Sequence, residues 1–190
     1  MDRRPIGLTG AIAGGKSTVL AMLKGLGLRT ASSDAIAREV FHEDFIQSAL
    51  ARRLSVTPPV APIALREAML NDPGLRRWVN RQMHPLVGQR LSALNVDVVE
   101  VPLLFEACVQ SRYREVWSVA CGPVERARRL RERYGSNVDI SSLEAWQLSE
   151  NAKNALADVV IRTDCSNESV LRVLMKESAR CFPLRIAHSK

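Results

Sequence analysis

The sequence predicts an α/β fold, a parallel sheet flanked by helices, on three observations. Short runs rich in β-branched residues alternate with stretches of helical periodicity. A glycine-rich turn joins the first apolar run to the first helix. A stretch over about residues 41–95 carries helical patterns and no strand signal, which reads as a helical insertion into a single domain spanning residues 1–190. Such a sheet, built with right-handed crossovers, places its binding crevice at the carboxyl ends of the strands.

The elements follow in order. Ile6 to Thr9 meets Gly10 as a strand, and a helix follows from about Lys16, closed by Gly25 or Gly27. Leu28 to Ala31 reads as a second short strand. Asp34 opens a helix whose Ile36, Ala37, Val40 and Phe41 recur at helical spacing. The middle region is interrupted by the Pro-rich Thr57 to Pro62. Its Leu75, Trp78, Val79, Met83, Leu86, Val87, Leu91 and Leu94 fit one amphipathic face, with Pro85 expected to kink or break the helix. Val96 to Val101, Val116 to Ala120 and Val159 to Ile161 read as buried strands. Between the last two lie an Arg-rich helix, Pro123 to Tyr134, and a polar helix over about residues 142–157. A final helix after Ser166 is expected to bury Val170, Leu171, Leu174 and Met175, ahead of a loose tail from about residue 183.

With 190 residues, 46% of them hydrophobic and 25% charged, the chain can bury a substantial core, which excludes disorder throughout. No apolar run reaches the length of a spanning helix or a signal segment, so a soluble, cytoplasmic protein without membrane contact is expected. Cys108, Cys121, Cys165 and Cys181 lack both the pairing pattern of a disulfide framework and zinc-ligand spacing. The net charge is +7, and 22 of the 27 cationic residues are Arg. Arg forks suit phosphate and carboxylate, so anionic partners are favoured. Only nine aromatics occur, none interleaved among the Arg clusters as a stacking platform, and nucleic acid is not expected as a partner.

Gly10-Ala11-Ile12-Ala13-Gly14-Gly15-Lys16-Ser17 matches the phosphate-loop pattern G-x-x-x-x-G-K-S/T and lies between a strand and a helix, the context its physics requires. Backbone N–H groups and the helix N-terminus would hold phosphates, Lys16 would reach the β and γ phosphates, and Ser17 would ligate Mg²⁺. The sheet is therefore of P-loop NTPase type. The guanine-reading Asn-Lys-x-Asp, the Asp-x-x-Gly γ-phosphate sensor and the transporter-ATPase signature are all missing, and small size with a helical insertion fits a metabolite kinase. Such a kinase orients an acceptor hydroxyl with a carboxylate. Asp34, after the second strand, suits that role, and it equally suits an N-cap. Glu100, ending the third strand, reads as a water-mediated Mg²⁺ ligand or as a solvated strand end. Arg126, Arg129 and Arg133 share one face of the Arg-rich helix while Val124, Ala127 and Leu130 supply its buried stripe; the Arg face reads as a lid or as a solvated surface. A kinase for another nucleoside or small alcohol, and a non-catalytic nucleotide-binding module, are the alternatives the residues leave open.

Several motifs in order resemble the dephospho-coenzyme A kinases. Gly7 to Thr18 resembles that family's Gly-Leu-Thr-Gly-Gly-Ile-Gly-Ser-Gly-Lys-Ser-Thr opening, and Ser32-Ser33-Asp34-Ala35-Ile36-Ala37-Arg38 its Asp-Ala-Asp-x-Ile-Ala-Arg segment. His84-Pro85, Pro102-Leu103-Leu104-Phe105-Glu106, and Gln147 followed by Ala157-Asp158-Val159-Val160-Ile161 resemble its later elements. The resemblance implies a P-loop kinase that moves the ATP γ-phosphate to the 3′-hydroxyl of dephospho-CoA with Mg²⁺, the last step of coenzyme A biosynthesis. It implies catalytic roles for Asp34 and Lys16. ATP would be bound by Gly10, Ala11, Ile12, Ala13, Gly14, Gly15, Lys16, Ser17 and Thr18, with Arg129 and Arg133 closing from a lid over about residues 123–150. Thr9, Asp34, Arg38, His84, Leu103 and Glu106 would line the acceptor side, and the helical insertion would bind the acceptor.

Four departures stand out. Ala11 and Ala13 replace glycines of the family's loop, which predicts strain of about 1–2 kcal/mol at either position if its φ is positive. Ser32 replaces the first acid of Asp-Ala-Asp, and Pro62 stands where a cation is usual.

Overall fold

A computed structural model describes residues 4–135 and 147–183. The chain divides into two compact units, one formed by residues 1–31 and 96–190, the other by residues 32–95.

The first unit is built on a five-stranded sheet. Strand β1 (Ile6–Gly10) is followed by α1 (Lys16–Gly25) and β2 (Thr30–Ser32), whose last residue begins the second unit. After the second unit come β3 (Val98–Glu100), a short 3-10 turn at Gln110–Arg112, β4 (Val116–Ala120), α6 (Pro123–Tyr134), α7 (Glu150–Leu156), β5 (Val159–Arg162) and α8 (Asn167–Cys181). The strand order is β2-β3-β1-β4-β5, and β1 pairs in parallel with both β3 and β4. The chain thus winds outward from β1 in both directions, which puts the end of β1 at the reversal point of the sheet.

Alternation decides the two faces. Ile6 and Leu8 point with Trp117, Val119 and Ile161 into a core closed by Val19 and Leu23 of α1 and Val170 and Leu174 of α8. On the opposite face Ser118 donates to Asn154 of α7 at 2.7 Å. At the amino ends of the strands the Asp97 carboxylate accepts Arg29 N at 2.9 Å, Nε at 3.1 Å and Nη2 at 3.0 Å, tying the entry of β2 to that of β3.

The second unit is helical: α2 (Ser33–Phe41), α3 (Asp44–Leu54), α4 (Pro62–Asn71) and α5 (Pro73–Ala93). Ile36, Val40, Ile46, Leu50, Leu65, Leu75 and Val79 form its own core. Gln47 staples it, donating to Phe41 O at 2.8 Å and accepting Val60 N at 2.7 Å.

Several expectations are corrected. The second strand starts at Thr30 rather than Leu28, because Gly27 N donates to Lys24 O and Leu28 N to Leu23 O, a capping turn that keeps Leu28 with α1. The third strand is Val98–Glu100, shorter than Val96 to Val101, since Asp97 is the Arg29 clamp. Pro85 does not break α5; the apolar contacts of Trp78, Met83, Leu86 and Val87 on either side of it outweigh one missing hydrogen bond. Leu94 and Met175 are 44% and 46% exposed, and in α8 Ser178 continues the buried row of Val170 and Leu174 in place of an apolar residue. In α6 only Leu130 of the expected stripe is buried, and Val124 is 83% exposed. The helix expected over about residues 142–157 begins, among the described residues, at Glu150; positions 136–146 and the tail from 184 lie outside them.

No helix among the described residues is long and apolar enough to cross a membrane. The cysteines form no disulfide; Cys121 is buried, Cys108 and Cys165 are exposed.

Candidate active site

Extended backbone in β1 delivers Gly10 to the end of the central strand, where φ is +147°. A Cβ there would lie 2.3 Å from the carbonyl oxygen of Val119, so only glycine lets β1 and β4 close up at this point. The chain then turns through Ala11–Gly14, with Gly14 N donating to Ala11 O at 3.1 Å, and enters α1 at Gly15, whose φ is +95°. The first turn of α1 holds no acidic residue, so its N–H groups and dipole stay available to an anion. Lys16 folds back, and Nζ donates to Gly10 O at 2.9 Å and Ala11 O at 2.8 Å. Ser17 and Thr18 are exposed. Ala13 takes φ +58°, the left-handed region; Ala11 is buried at ordinary φ. The expected strain therefore falls on Ala13 alone.

Two side chains not singled out for this role hold the loop. Thr163, just after β5, donates from Oγ1 to Gly14 O at 2.7 Å. Arg126 donates from Nε to Ile12 O at 3.2 Å. Arg129 joins them: Nη1 donates to Thr163 Oγ1 at 3.0 Å, Nη2 to Thr163 O at 2.7 Å and Nε to Glu125 at 2.9 Å. Arg128 first and Arg129 second hold the Glu125 carboxyl down to about 2. Arg129 thus packs at the edge of the phosphate loop, whereas Arg133 is exposed and stacks its guanidinium 5.3 Å from the ring of Tyr134.

On the other side of β1, Thr9 is fully buried and donates to Pro102 O at 3.2 Å. Leu103 is 42% exposed. Glu106 is mostly buried and pairs with Lys153 of α7 at 3.0 Å. Lys153 has no exposed surface and also donates to Pro102 O at 2.7 Å. Glu100 ends β3 half-buried, one strand over from Leu8.

Asp34, Arg38 and His84 belong to the helical unit. Ser32 is the N-cap of α2 and Asp34 lies exposed in its first turn, where its charge suits the helix dipole without capping it. Arg38 follows one turn later, and His84 is exposed on α5, against which α2 packs.

Sequence reasoning missed Thr163, Lys153 and the loop contact of Arg126. Lys153 had one signal, being one of only five lysines in an Arg-dominated chain. Thr163 had none, because its partner Gly14 is 149 positions away.

Comparison with known proteins accords with this geometry. The family model described as dephospho-CoA kinase matches residues 4–169. A dephospho-CoA kinase of Gloeobacter violaceus is 34% identical over 180 residues, covering 86% of each chain. That of Geobacillus kaustophilus is 32% identical over 188 residues, covering 90% of this chain and 92% of its own. Among solved structures, a protein from Thermus thermophilus superposes with a TM-score of 0.80 at 29% identity, over 95% of this chain and 98% of its own. A shikimate kinase from Bacteroides thetaiotaomicron, at 16% identity and a TM-score of 0.53 over 95% of this chain and 99% of its own, shares the fold. A phosphate loop at the reversal point of a parallel sheet, together with a family match over most of the length, shows that the chain belongs to the dephospho-CoA kinase family.

Proposed function

We propose that this protein transfers the γ-phosphoryl group of ATP to the 3′-hydroxyl of dephospho-CoA, giving ADP and CoA in the last step of coenzyme A biosynthesis, in the cytoplasm. The observation that carries the reading is the phosphate loop, with Lys16 folded onto it at the head of α1, in a chain of this family. The amides from Ala11 to Thr18 and the α1 dipole bind the triphosphate, with Gly10 giving the loop its shape. Lys16 exchanges its two carbonyl contacts for phosphate oxygens and offsets the charge that spreads over the transferring group. Arg129 completes the nucleotide site from α6, and Arg133 closes on it from the end of the same helix.

Asp34 accepts a hydrogen bond from the acceptor hydroxyl, orients it for in-line attack and takes its proton as the phosphorus–oxygen bond forms. Arg38, His84, Leu103 and Glu106 bind the acceptor, the first two from the helical insertion. Thr9 serves the same side through Pro102, its hydroxyl being bonded to that carbonyl.

The donor set fits Mg²⁺, which takes one or two protein oxygens and completes its shell with phosphates and water. Ser17, an exposed residue next to Lys16, would hold it. When bound, the ion draws negative charge off the phosphate oxygens.

The test is ADP release coupled to acceptor, with dephospho-CoA run beside adenosine and pantetheine. Lys16→Ala and Asp34→Asn both abolish turnover, and Asp34→Asn leaves ATP affinity within about twofold of wild type, because a group acting on the acceptor hydroxyl contributes little to nucleotide binding. Normal turnover by Asp34→Asn would refute its role.

A further inference from the structure

A fully buried lysine is an unusual component of a helix as short as α7. An ammonium removed from water is stable only where its donors are met and an opposite charge lies close. Lys153 meets both conditions within one segment: Nζ donates to Pro102 O at 2.7 Å and pairs with Glu106 Oε1 at 3.0 Å. It therefore ties together the two ends of Pro102–Glu106, the segment that carries Leu103. Other groups already fasten α7 to the sheet, since Asn154 accepts Ser118 Oγ at 2.7 Å and Glu150 accepts Cys121 N at 3.1 Å. Anchoring the helix does not by itself account for a buried charge.

The Glu106 carboxylate shows what the charge does. Oε1 takes both Lys153 and the amide of Leu148, the latter at 2.8 Å. Oε2 is buried and has no hydrogen-bond partner among the described residues. Lys153 and Leu148 thus fix one oxygen and leave the other, in surroundings of low dielectric, without a donor among the described residues. We propose that Lys153 is a positioning residue of the acceptor site, orienting Glu106 so that Oε2 receives a hydroxyl or amino group of the acceptor. The inference rests on the acceptor role proposed for Glu106.

The test compares the full-length wild type with Lys153→Met, Glu106→Gln and the double variant, reading kcat, the KM for dephospho-CoA, the KM for ATP and thermal melting. Lys153→Met raises the acceptor KM about tenfold while the ATP KM stays within about twofold, the signature of lost acceptor binding. In the double variant the acceptor KM equals that of Glu106→Gln alone, since a residue acting through Glu106 has nothing left to orient. The double variant holds no unpaired buried charge, so it decides the matter even if Lys153→Met alone fails to fold. The inference is overturned if both KM values rise together, or if the double variant exceeds Glu106→Gln in acceptor KM by more than about threefold. A wild type that phosphorylates another alcohol and leaves dephospho-CoA untouched overturns the proposed function instead, and the same comparison on that alcohol then decides the role of Lys153.

Discussion

Ala13 adopts φ +58°, a conformation in which its methyl group crowds the backbone, in a loop whose other left-handed positions are glycines. Replacing it with glycine removes that crowding. Ala13→Gly is expected to stabilise the protein by about 1 kcal/mol, a rise of about 3 °C in melting temperature for a chain of this size, measured by calorimetry. The neighbouring Ala11 offers the contrast, because it is buried at negative φ and the same substitution there brings no such gain. Spacing alone revealed that residues 10–17 form a phosphate loop, since the motif is local and sits between a strand and a helix. Which of two alanines carries the strain was not legible, because φ at each depends on how β1 and β4 close around Gly10. The same holds for Thr163 and Lys153, whose partners are set by strand order and not by neighbours in the chain.

Helix α6 turns a polar face inward. Arg126 and Arg129 reach the backbone of the loop and of Thr163, while Val124 lies at the surface. Apolar periodicity assumes that a helix meets an apolar neighbour; α6 also meets the carbonyl oxygens of Ile12 and Thr163, so of the expected stripe the rule placed Leu130 correctly and Val124 wrongly, while its ends, Pro123 and Tyr134, were read correctly from proline and composition. Thr163 is the joint between this helix and the loop. Thr163→Val removes the hydroxyl that donates to Gly14 O and accepts from Arg129, at a cost of about 1 kcal/mol or more. Steady-state kinetics are expected to show the ATP KM rising about fivefold with the acceptor KM unchanged. In α5 the expected break at Pro85 is absent for a related reason: a proline deletes one hydrogen bond, and the second unit packs enough apolar surface on both sides to keep the helix continuous.

Across the molecule, the two ends of the sheet do different work. The carboxyl ends carry the phosphate loop, while the amino ends are bound by ion pairs, Arg29 with Asp97 and Arg180 with Glu115. Arg180, its chief hydrogen-bond partner, lowers the Glu115 carboxyl from 4.5 to about 2. Its contribution is therefore complete above pH 4.5 and disappears as the pH falls from there toward 2. Arg180 is half exposed, which screens the pair to about 1 kcal/mol. Urea melts of Glu115→Gln should show that deficit at pH 7 and none near pH 2. The alternation of strands and helices made the α/β class readable from sequence, and β4 was placed residue for residue; the order of the strands was not, because nothing local records which strand lies beside which. That order leaves β2, of three residues, and β5, of four, as the outermost strands. With Arg162 projecting from β5 and Asp164 just beyond it, a foreign chain laid alongside would find few unpaired amides and would have to desolvate charge to reach them. Among the described residues the sheet edges thus offer poor templates for aggregation, so losses during expression should originate in the unfolded chain.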